Sequence, residues 1–163
     1  MSKNRIGIDI GGVIIAEDTD KPDLFFSSHF LKAKPVSNSF ETIKELIDTF
    51  SSENIFIISK CGPEIQKKSL LWLEDNFFFQ KTGFKRENIN FCLHRNEKAI
   101  IAENLNLTHF IDDRYTVLKH FLPLSQIKQL FLFNPNVEEM RLMGSIPSNK
   151  ITMISSWVEI KIE

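Results

Sequence analysis

One stretch near the start of the chain constrains the fold more than any other, and it reads Ile6-Gly7-Ile8-Asp9-Ile10-Gly11-Gly12-Val13. Isoleucines at alternate positions, with no turn signal among them, predict a buried strand over Arg5–Ile10. Asp9 then lies near the carboxyl end of this strand, which is where open α/β sheets bind ligands. Gly11 and Gly12 predict a turn with positive φ and a close approach of the backbone to a ligand. On its own, the stretch is equally typical of an ordinary strand that ends in a turn.

Apolar runs alternate with helical patterns along the rest of the chain. The further predicted strands are Ile55–Ile58, Ile89–Leu93, Phe110–Ile111, Ile127–Phe133 and Ile151–Ile154. The predicted helices are 40–50, 63–79, 96–105, 116–122 and 137–143, with 156–162 as a closing helix or tail. This alternation predicts an α/β fold in which helices cover both faces of a mainly parallel central sheet.

Composition and charge exclude several functional classes. The 163 residues are enough for one domain with a substantial core, and we expect a single domain over 1–163. A formal net charge of −1 argues against a general binder of nucleic acid or of anionic membranes. No apolar run approaches the ~18 residues of a membrane-spanning helix, and the first residues lack the features of a signal peptide. Cys61 and Cys92 form no Cys-x-x-Cys motif, so we expect reduced thiols in a cytoplasmic protein.

Polar side chains from several places along the chain meet at one edge of the predicted sheet. Asp9, Ser59 and the pair Asp112-Asp113 lie at strand ends, and Lys98 lies in the first turn of a helix. Adjacent carboxylates repel each other unless they are solvated or bound to a cation, and Mg²⁺ prefers carboxylate oxygens. A lysine in a first helical turn opposes the helix dipole, which indicates another benefit at that position. Each residue alone has an ordinary explanation as a turn residue, a helix cap or a surface lysine. Their conjunction predicts a site.

The order of these motifs resembles the haloacid dehalogenase-like superfamily, whose members are mostly Mg²⁺-dependent phosphohydrolases. Its first motif is similar to Ile8-Asp9-Ile10-Gly11-Gly12-Val13, and its second to Ile55-Phe56-Ile57-Ile58-Ser59. Its third motif, a lysine ahead of the fourth strand, is similar to Lys98. Its fourth is similar to Phe110-Ile111-Asp112-Asp113-Arg114. The resemblance covers nearly the whole chain and implies a Rossmann-like three-layer sandwich.

The resemblance also implies a mechanism and a cofactor. Asp9 is then the nucleophile that attacks phosphorus and forms an aspartyl-phosphate, which water hydrolyses. Mg²⁺ is held by the Asp9 carboxylate, the Gly11 carbonyl and Asp112, with Asp113 beside it. The cation neutralises the charge of the phosphoryl group and positions it for in-line displacement.

The substrate side of the site follows from the same resemblance. Ser59 and Lys98 hold phosphoryl oxygens, Lys98 also offsets the charge of Asp9, and Gly12 contributes its backbone. One departure is that most phosphatases of the superfamily carry a general-acid Asp two residues after the nucleophile, where this chain has Gly11. General acid–base catalysis contributes ~10²–10⁴-fold to a rate, so efficient turnover needs a replacement. The candidates are Glu17, Asp18 and Asp20.

Two alternatives to an ordinary phosphatase stay open. A catalytically weak or silent protein that binds phosphate and Mg²⁺ would account for Gly11. A 5′-nucleotidase-like enzyme is the other, because the segment from Lys98 to Arg114 also resembles the deoxyribonucleotidase branch. In that case Phe25, Phe26 and Phe30 are candidates to stack a base.

The irregular segment 17–35, which we call the flap, is the expected covering of the site. It is too short for a helical cap domain, so we expect a rather open site. Such a site suits a small or bulky phosphorylated substrate, or a partner chain that closes it. We expect no nucleic-acid partner beyond a nucleotide substrate and no membrane, and an oligomer is compatible with the sequence.

Overall fold

A six-stranded, fully parallel sheet forms the centre of the protein. The computed structural model describes residues 3–163. The strands stand in the order β3-β2-β1-β4-β5-β6, and every neighbouring pair is parallel. The first strand lies between the second and the fourth, so the residue after it comes out near the middle of the sheet edge. Among residues 3–163, no helix is both long and apolar enough to cross a bilayer.

The bounds of the elements are close to those that the sequence predicts. The strands are β1 Ile6–Ile8, β2 Ile55–Lys60, β3 Ile89–Cys92, β4 His109–Asp112, β5 Gln129–Phe133 and β6 Ile151–Ile154. The helices are α1 Ser39–Phe50, α2 Pro63–Asp75, α3 Phe78–Thr82, α4 Glu97–Asn104, α5 Tyr115–Leu118 and α6 Val137–Met143. Short 3-10 turns lie at Leu24–Phe26, Phe30–Lys32, Ser52–Asn54, Arg86–Asn88 and Trp157–Glu159.

Alternate residues of the strands pack on opposite faces of the sheet, which gives the protein two apolar cores. Ile55 and Ile57 of β2 share one core with side chains of α1, α2 and α3. Phe56 and Ile58 share the other core with side chains of α4 and α5. The arrangement confirms the predicted α/β fold with helices on both faces of a parallel sheet.

A glycine in β1 permits the close packing of the second core. A Cβ atom at Gly7 would lie 2.5 Å from Cδ1 of Phe110 and 2.6 Å from Cδ1 of Leu107. Both side chains are fully buried, so neither has room to move aside. Gly7 therefore fixes how closely the strand that carries the Asp9 motif can approach this core.

Several predicted boundaries differ from the observed ones; the predicted helix 116–122, for example, ends at Leu118. The first strand ends at Ile8, although the amide of Asp9 still donates to the carbonyl of Ile111 at 3.0 Å. The predicted helix 63–79 is two helices, because Phe77 takes a left-handed conformation with φ 56°. Of the two alternatives predicted for 156–162, a closing helix or a tail, the structure has the tail, with one 3-10 turn at Trp157–Glu159 that the side chain of Ser156 caps.

The flap is fastened to the second helix. Nζ of Lys68 donates to the carbonyl of Phe26 at 2.7 Å and to that of Ser27 at 3.0 Å. Nε1 of the buried Trp72 donates to the carbonyl of Ala33 at 2.8 Å. These contacts hold the flap over the carboxyl edge of the sheet, beside the residues that follow β1 and β2.

Candidate active site

Two aspartates from neighbouring central strands begin the site. Asp9 directly follows β1, and Asp112 is the last residue of β4. Their strands are paired in register, with Ile8 opposite Ile111. Asp9 is 7% exposed and Asp112 is 0% exposed. The sheet therefore places two carboxylates side by side, where water can solvate neither of them fully.

Lys98 lies between these two carboxylates. Its Nζ donates to Oδ1 of Asp9 at 3.0 Å and to Oδ2 of Asp112 at 2.8 Å. Burial by itself lowers the pKa of Lys98, but the negative charges of Asp112 and Asp9 raise it above its ordinary value. The ammonium is therefore charged at neutral pH, and it ties the first turn of α4 to β1 and β4. These two bonds explain why a lysine occupies a position that opposes the helix dipole.

A third carboxylate completes an acidic cluster. Ligand oxygens of Asp9, Asp112 and Asp113 all lie within 4.8 Å of one another. Burial, followed by the charge of Asp9, raises the pKa of both Asp112 and Asp113. With all three ionised, Lys98 balances one charge and two negative charges remain within the cluster.

The two adjacent acids have different surroundings. Both oxygens of Asp112 are used by the protein, since Oδ2 accepts from Lys98 and Oδ1 accepts from the amide of Arg114 at 2.9 Å. Oδ1 of Asp113 is buried and has no hydrogen-bond partner among residues 3–163. A buried carboxylate oxygen without a donor is costly unless a cation occupies the position in front of it.

Of the two glycines after Asp9, Gly12 is the one that the turn requires. It has a φ of 76°, and a Cβ atom there would lie 2.5 Å from Oδ2 of Asp113. Gly11 does not have positive φ, and a Cβ atom there would meet nothing within 4 Å. The prediction that both glycines need positive φ is therefore wrong for Gly11. Position 11 has room for a side chain.

These observations meet the requirements of Mg²⁺. The ligand atoms are carboxylate oxygens that lie within 4.8 Å of one another, and Oδ1 of Asp113 is buried without a hydrogen-bond partner in the part of the chain that the structure describes. Two uncompensated negative charges match a divalent cation, and oxygen ligands are the kind that Mg²⁺ prefers. The cluster fits the metal that the sequence predicts.

Ser59 is the polar residue that β2 contributes to the site. It is 6% exposed, lines the same cavity as Asp9, and its Oγ lies 3.9 Å from Sγ of Cys61. Burial raises the pKa of the Cys61 thiol, which is therefore neutral at neutral pH and a poor nucleophile.

A cavity of about 360 Å³ opens in front of the acidic cluster, with the flap as one wall. Glu17, Asp18, Phe25 and Phe26 line it, whereas Asp20 and Phe30 do not. The residues predicted to bind the metal or the phosphoryl group also line the cavity, with the exception of Asp112, which is fully buried.

Sequence reasoning missed four basic residues that line this cavity. They are Lys21, Lys60, Arg95 and Arg114. A signal was present for two of them, because Arg95 lies three residues before Lys98 and Arg114 directly follows the acidic pair. Lys21 reaches the cavity from the flap, and Lys60 is the last residue of β2.

Comparison with known protein structures identifies the fold. No protein-family model matches the sequence, and no curated protein is similar to it in sequence. The D,D-heptose 1.7-bisphosphate phosphatase from B. bronchiseptica, solved with magnesium and phosphate, has a TM-score of 0.59 at 14% identity, over 96% of this chain and 94% of that chain. A haloacid dehalogenase-like hydrolase from Burkholderia xenovorans LB400 has a TM-score of 0.58 at 10% identity, over 86% of this chain and 64% of that chain. This protein has the haloacid dehalogenase-like fold, as its sequence predicts.

Stabilisation by Mg²⁺ should grow with pH. Because the pKa of Asp112 and of Asp113 is raised in the folded state, the metal-free cluster stabilises the fold while it is protonated. This contribution to the free energy of unfolding decreases as pH rises from the pKa of an ordinary carboxyl group through the raised pKa values of the folded state. Mg²⁺ would bind the ionised form of the cluster, and at ten times its Kd it would add about 1.4 kcal/mol to the free energy of unfolding. Thermal melts should therefore show a larger Mg²⁺-dependent rise in Tm at about pH 8 than at about pH 5.5.

The variant Asp113→Asn should lose most of this Mg²⁺-dependent rise in Tm. The matched control is Asp20→Asn, which removes an exposed flap carboxylate that does not line the cavity. An equal rise in Asp113→Asn and in the unmodified protein would show that the metal binds elsewhere.

Proposed function

We propose that this protein is a Mg²⁺-dependent phosphohydrolase of the haloacid dehalogenase-like superfamily that acts on a phosphate monoester. The observation that carries the proposal is the cluster in which Lys98 bridges Asp9 and Asp112 while Asp113 lies alongside. The fold supports it, because a structural neighbour is a phosphatase solved with magnesium and phosphate. We expect this chemistry in the cytoplasm, with a phosphorylated substrate as the partner.

In this proposal the metal-binding residues are Asp9, the carbonyl of Gly11 and the acidic pair. Asp113 is the stronger ligand of the pair. Its Oδ1 is buried and has no hydrogen-bond partner among the described residues 3–163, whereas Asp112 already accepts from Lys98 and the Arg114 amide. When bound, Mg²⁺ would neutralise phosphoryl charge and fix the orientation of the group.

The nucleophile is Asp9. Its Oδ1 is held by Lys98, and its Oδ2 has no protein hydrogen-bond donor among residues 3–163. Attack by the carboxylate forms an acyl–phosphate bond and breaks the P–O bond to the leaving alcohol. Water then attacks phosphorus, which releases inorganic phosphate and restores the carboxylate. Lys98 and Ser59 would hold phosphoryl oxygens during both steps, and charged donors that are fixed in advance stabilise such transition states.

Glu17 is the best placed replacement for the missing general acid. Asp20 does not line the cavity, and Oδ1 of Asp18 accepts from the amides of Asp20 and Lys21, which commits it to its own turn. Oε1 of Glu17 lies 3.5 Å from the position that a Cβ of Gly12 would take, beside the acidic cluster. We propose that Glu17 protonates the leaving oxygen.

A second candidate function is a silent protein that binds phosphate and Mg²⁺ without turnover. The observation in its favour is Gly11, which leaves the usual position of the general acid without a side chain. The nucleophile itself is present in both cases, so activity measurements separate the two.

Purified protein should hydrolyse 4-nitrophenyl phosphate in the presence of Mg²⁺, and Asp9→Asn should lower kcat by at least about 10³-fold. The reason is that an amide is a far weaker nucleophile than a carboxylate, whereas the cavity keeps its shape. Release of 4-nitrophenolate measures the rate. Asp20→Asn is the control and should retain the full rate. Mg²⁺ binding without any turnover would contradict the phosphohydrolase and favour the silent binder.

The rate should also depend on the leaving group in a way that identifies the acid. Glu17→Gln should lower kcat for alkyl phosphates by about 10²-fold and for 4-nitrophenyl phosphate much less, because an aryl oxide leaves without a proton. Gly11→Asp should restore alkyl turnover in the Glu17→Gln background, since position 11 has room for the side chain. Equal losses on both classes of ester in Glu17→Gln would show that Glu17 is not the proton donor.

A further inference from the structure

Arg95, one of the basic residues that line the cavity, is held in place by a chain of hydrogen bonds. Nη1 of Arg95 donates to Oγ1 of Thr116 at 2.9 Å, and that hydroxyl donates in turn to Oε1 of Glu139 at 2.8 Å. The amide of Thr116 donates to the same carboxylate oxygen at 2.9 Å. A chain of three side chains therefore leads from the interior of the protein to the cavity.

The inner end of this chain is deeply buried. Glu139 is 4% exposed. Its backbone amide donates to Oδ1 of Asn136, the N-cap residue of α6, and is not part of the chain of side-chain hydrogen bonds. The carboxylate draws the Thr116 hydrogen toward itself and leaves the hydroxyl lone pairs for the guanidinium of Arg95. Such chained bonds between charged ends polarise one another and fix the orientation of the outermost group.

Most of the hydrogen-bonding capacity of Arg95 remains available. A guanidinium carries five N–H donors, and one of its nitrogens has an acceptor among residues 3–163. No carboxylate oxygen lies within 4.0 Å of it in the part of the chain that the structure describes, and the same is true of Arg114 and Lys60. All three line the cavity. A fixed arginine that faces a cavity without a carboxylate partner is suited to an anionic ligand.

Arg95 lies close to Lys98 in the chain but has a different hydrogen-bond partner. It lies three residues before Lys98 in the same turn, with the Lys98 amide donating to its carbonyl at 3.3 Å. Residues three apart in a helical turn are neighbours at about 5–6 Å between Cβ atoms. Lys98 donates to Asp9 and to Asp112, whereas the Arg95 guanidinium makes no hydrogen bond or ion pair with either carboxylate in the described part of the chain, residues 3–163.

We propose that Arg95 binds a second anionic group of the substrate, so that the substrate class is a phosphate monoester that carries a further phosphate or carboxylate. This inference rests on the proposed phosphohydrolase function and specifies its substrate. Arg95 makes the contact, whereas Thr116 and Glu139 are positioning residues. Arg114 and Lys60, which also line the cavity, add positive potential to it.

The test measures binding of phosphonates, which occupy a phosphate site but cannot be hydrolysed. Calorimetry in Mg²⁺ compares an alkylphosphonate that ends in a methyl group with chains of matched length that end in a carboxylate or in a second phosphonate. The unmodified protein should bind at least one of the doubly anionic ligands about tenfold more tightly than the methyl-terminated ligand. Whether the carboxylate or the second phosphonate gains more identifies the second anion.

Arg95→Gln should abolish this tenfold preference and leave the Kd of the methyl-terminated ligand within about twofold. Thr116→Val should reduce the preference, and Thr116→Ser, which keeps the hydroxyl, should retain it. The control is Lys67→Gln, because Lys67 is an exposed cation of α2 that does not line the cavity. A variant that is merely less stable would weaken the binding of both kinds of ligand alike and would leave the ratio of their Kd values unchanged.

Equal affinity of the unmodified protein for all the ligands would overturn the inference, as would a preference that survives in Arg95→Gln. Loss of all binding in Arg95→Gln would also overturn it, by placing Arg95 on the transferred phosphoryl group. If the preference holds but 4-nitrophenyl phosphate is not turned over, the second anion site stands and the phosphohydrolase proposal fails. If no phosphonate binds in Mg²⁺, the phosphate site is wrong and this inference falls with it.

Discussion

The structure depends on one buried interaction, the contact of the Lys98 ammonium with the carboxylates of Asp9 and Asp112. Three acids within 4.8 Å of one another repel strongly where little water screens them. Lys98, at 2% exposure, balances one of these charges and joins the helix after β3 to the two central strands. Removal of one partner from such a buried cluster leaves uncompensated charge, which is why its members act as a unit.

The backbone around this interaction is shaped to bring the charged groups together. Gly7 lets β1 lie close against Phe110, and Gly12 turns the chain with positive φ directly under the carboxylate of Asp113. Parallel pairing of β1 with β4 then sets Asp9 beside Asp112. The acidic cluster faces a cavity that Lys21, Lys60, Arg95 and Arg114 also line. In the function that we propose, the cluster would hold a cation and these basic side chains would face an anionic substrate.

The fold and the acidic cluster could be predicted from sequence because both follow from local patterns. Apolar runs alternate with helical segments, and in a parallel sheet all the strands end at one edge, so Asp9, Ser59 and Asp112-Asp113 had to meet there. Lys98 was predicted from its unfavourable position in a first helical turn. Its two bonds to carboxylates are the physical reason for that position.

Other features could not be predicted because they depend on contacts between distant segments. Asp112 and Asp113 are adjacent in the sequence, so their different contacts cannot be told from it. The structure shows that Asp112 accepts from Lys98 and that Oδ1 of Asp113 has no hydrogen-bond partner within residues 3–163. The chain from Arg95 through Thr116 to Glu139 joins residues that are 21 and 23 positions apart. No periodicity or short motif records such a connection.

The most direct test of the central claim is a crystal structure of the protein soaked with Mg²⁺ and beryllium fluoride, which mimics a phosphoryl group on a carboxylate. The account predicts a tetrahedral beryllium fluoride bonded to a carboxylate oxygen of Asp9, with Lys98 and Ser59 at its fluorines and Mg²⁺ in contact with Asp9 and Asp113. Mg²⁺ bound at the cluster with Asp9 unmodified, or beryllium fluoride bound away from Asp9, would contradict it.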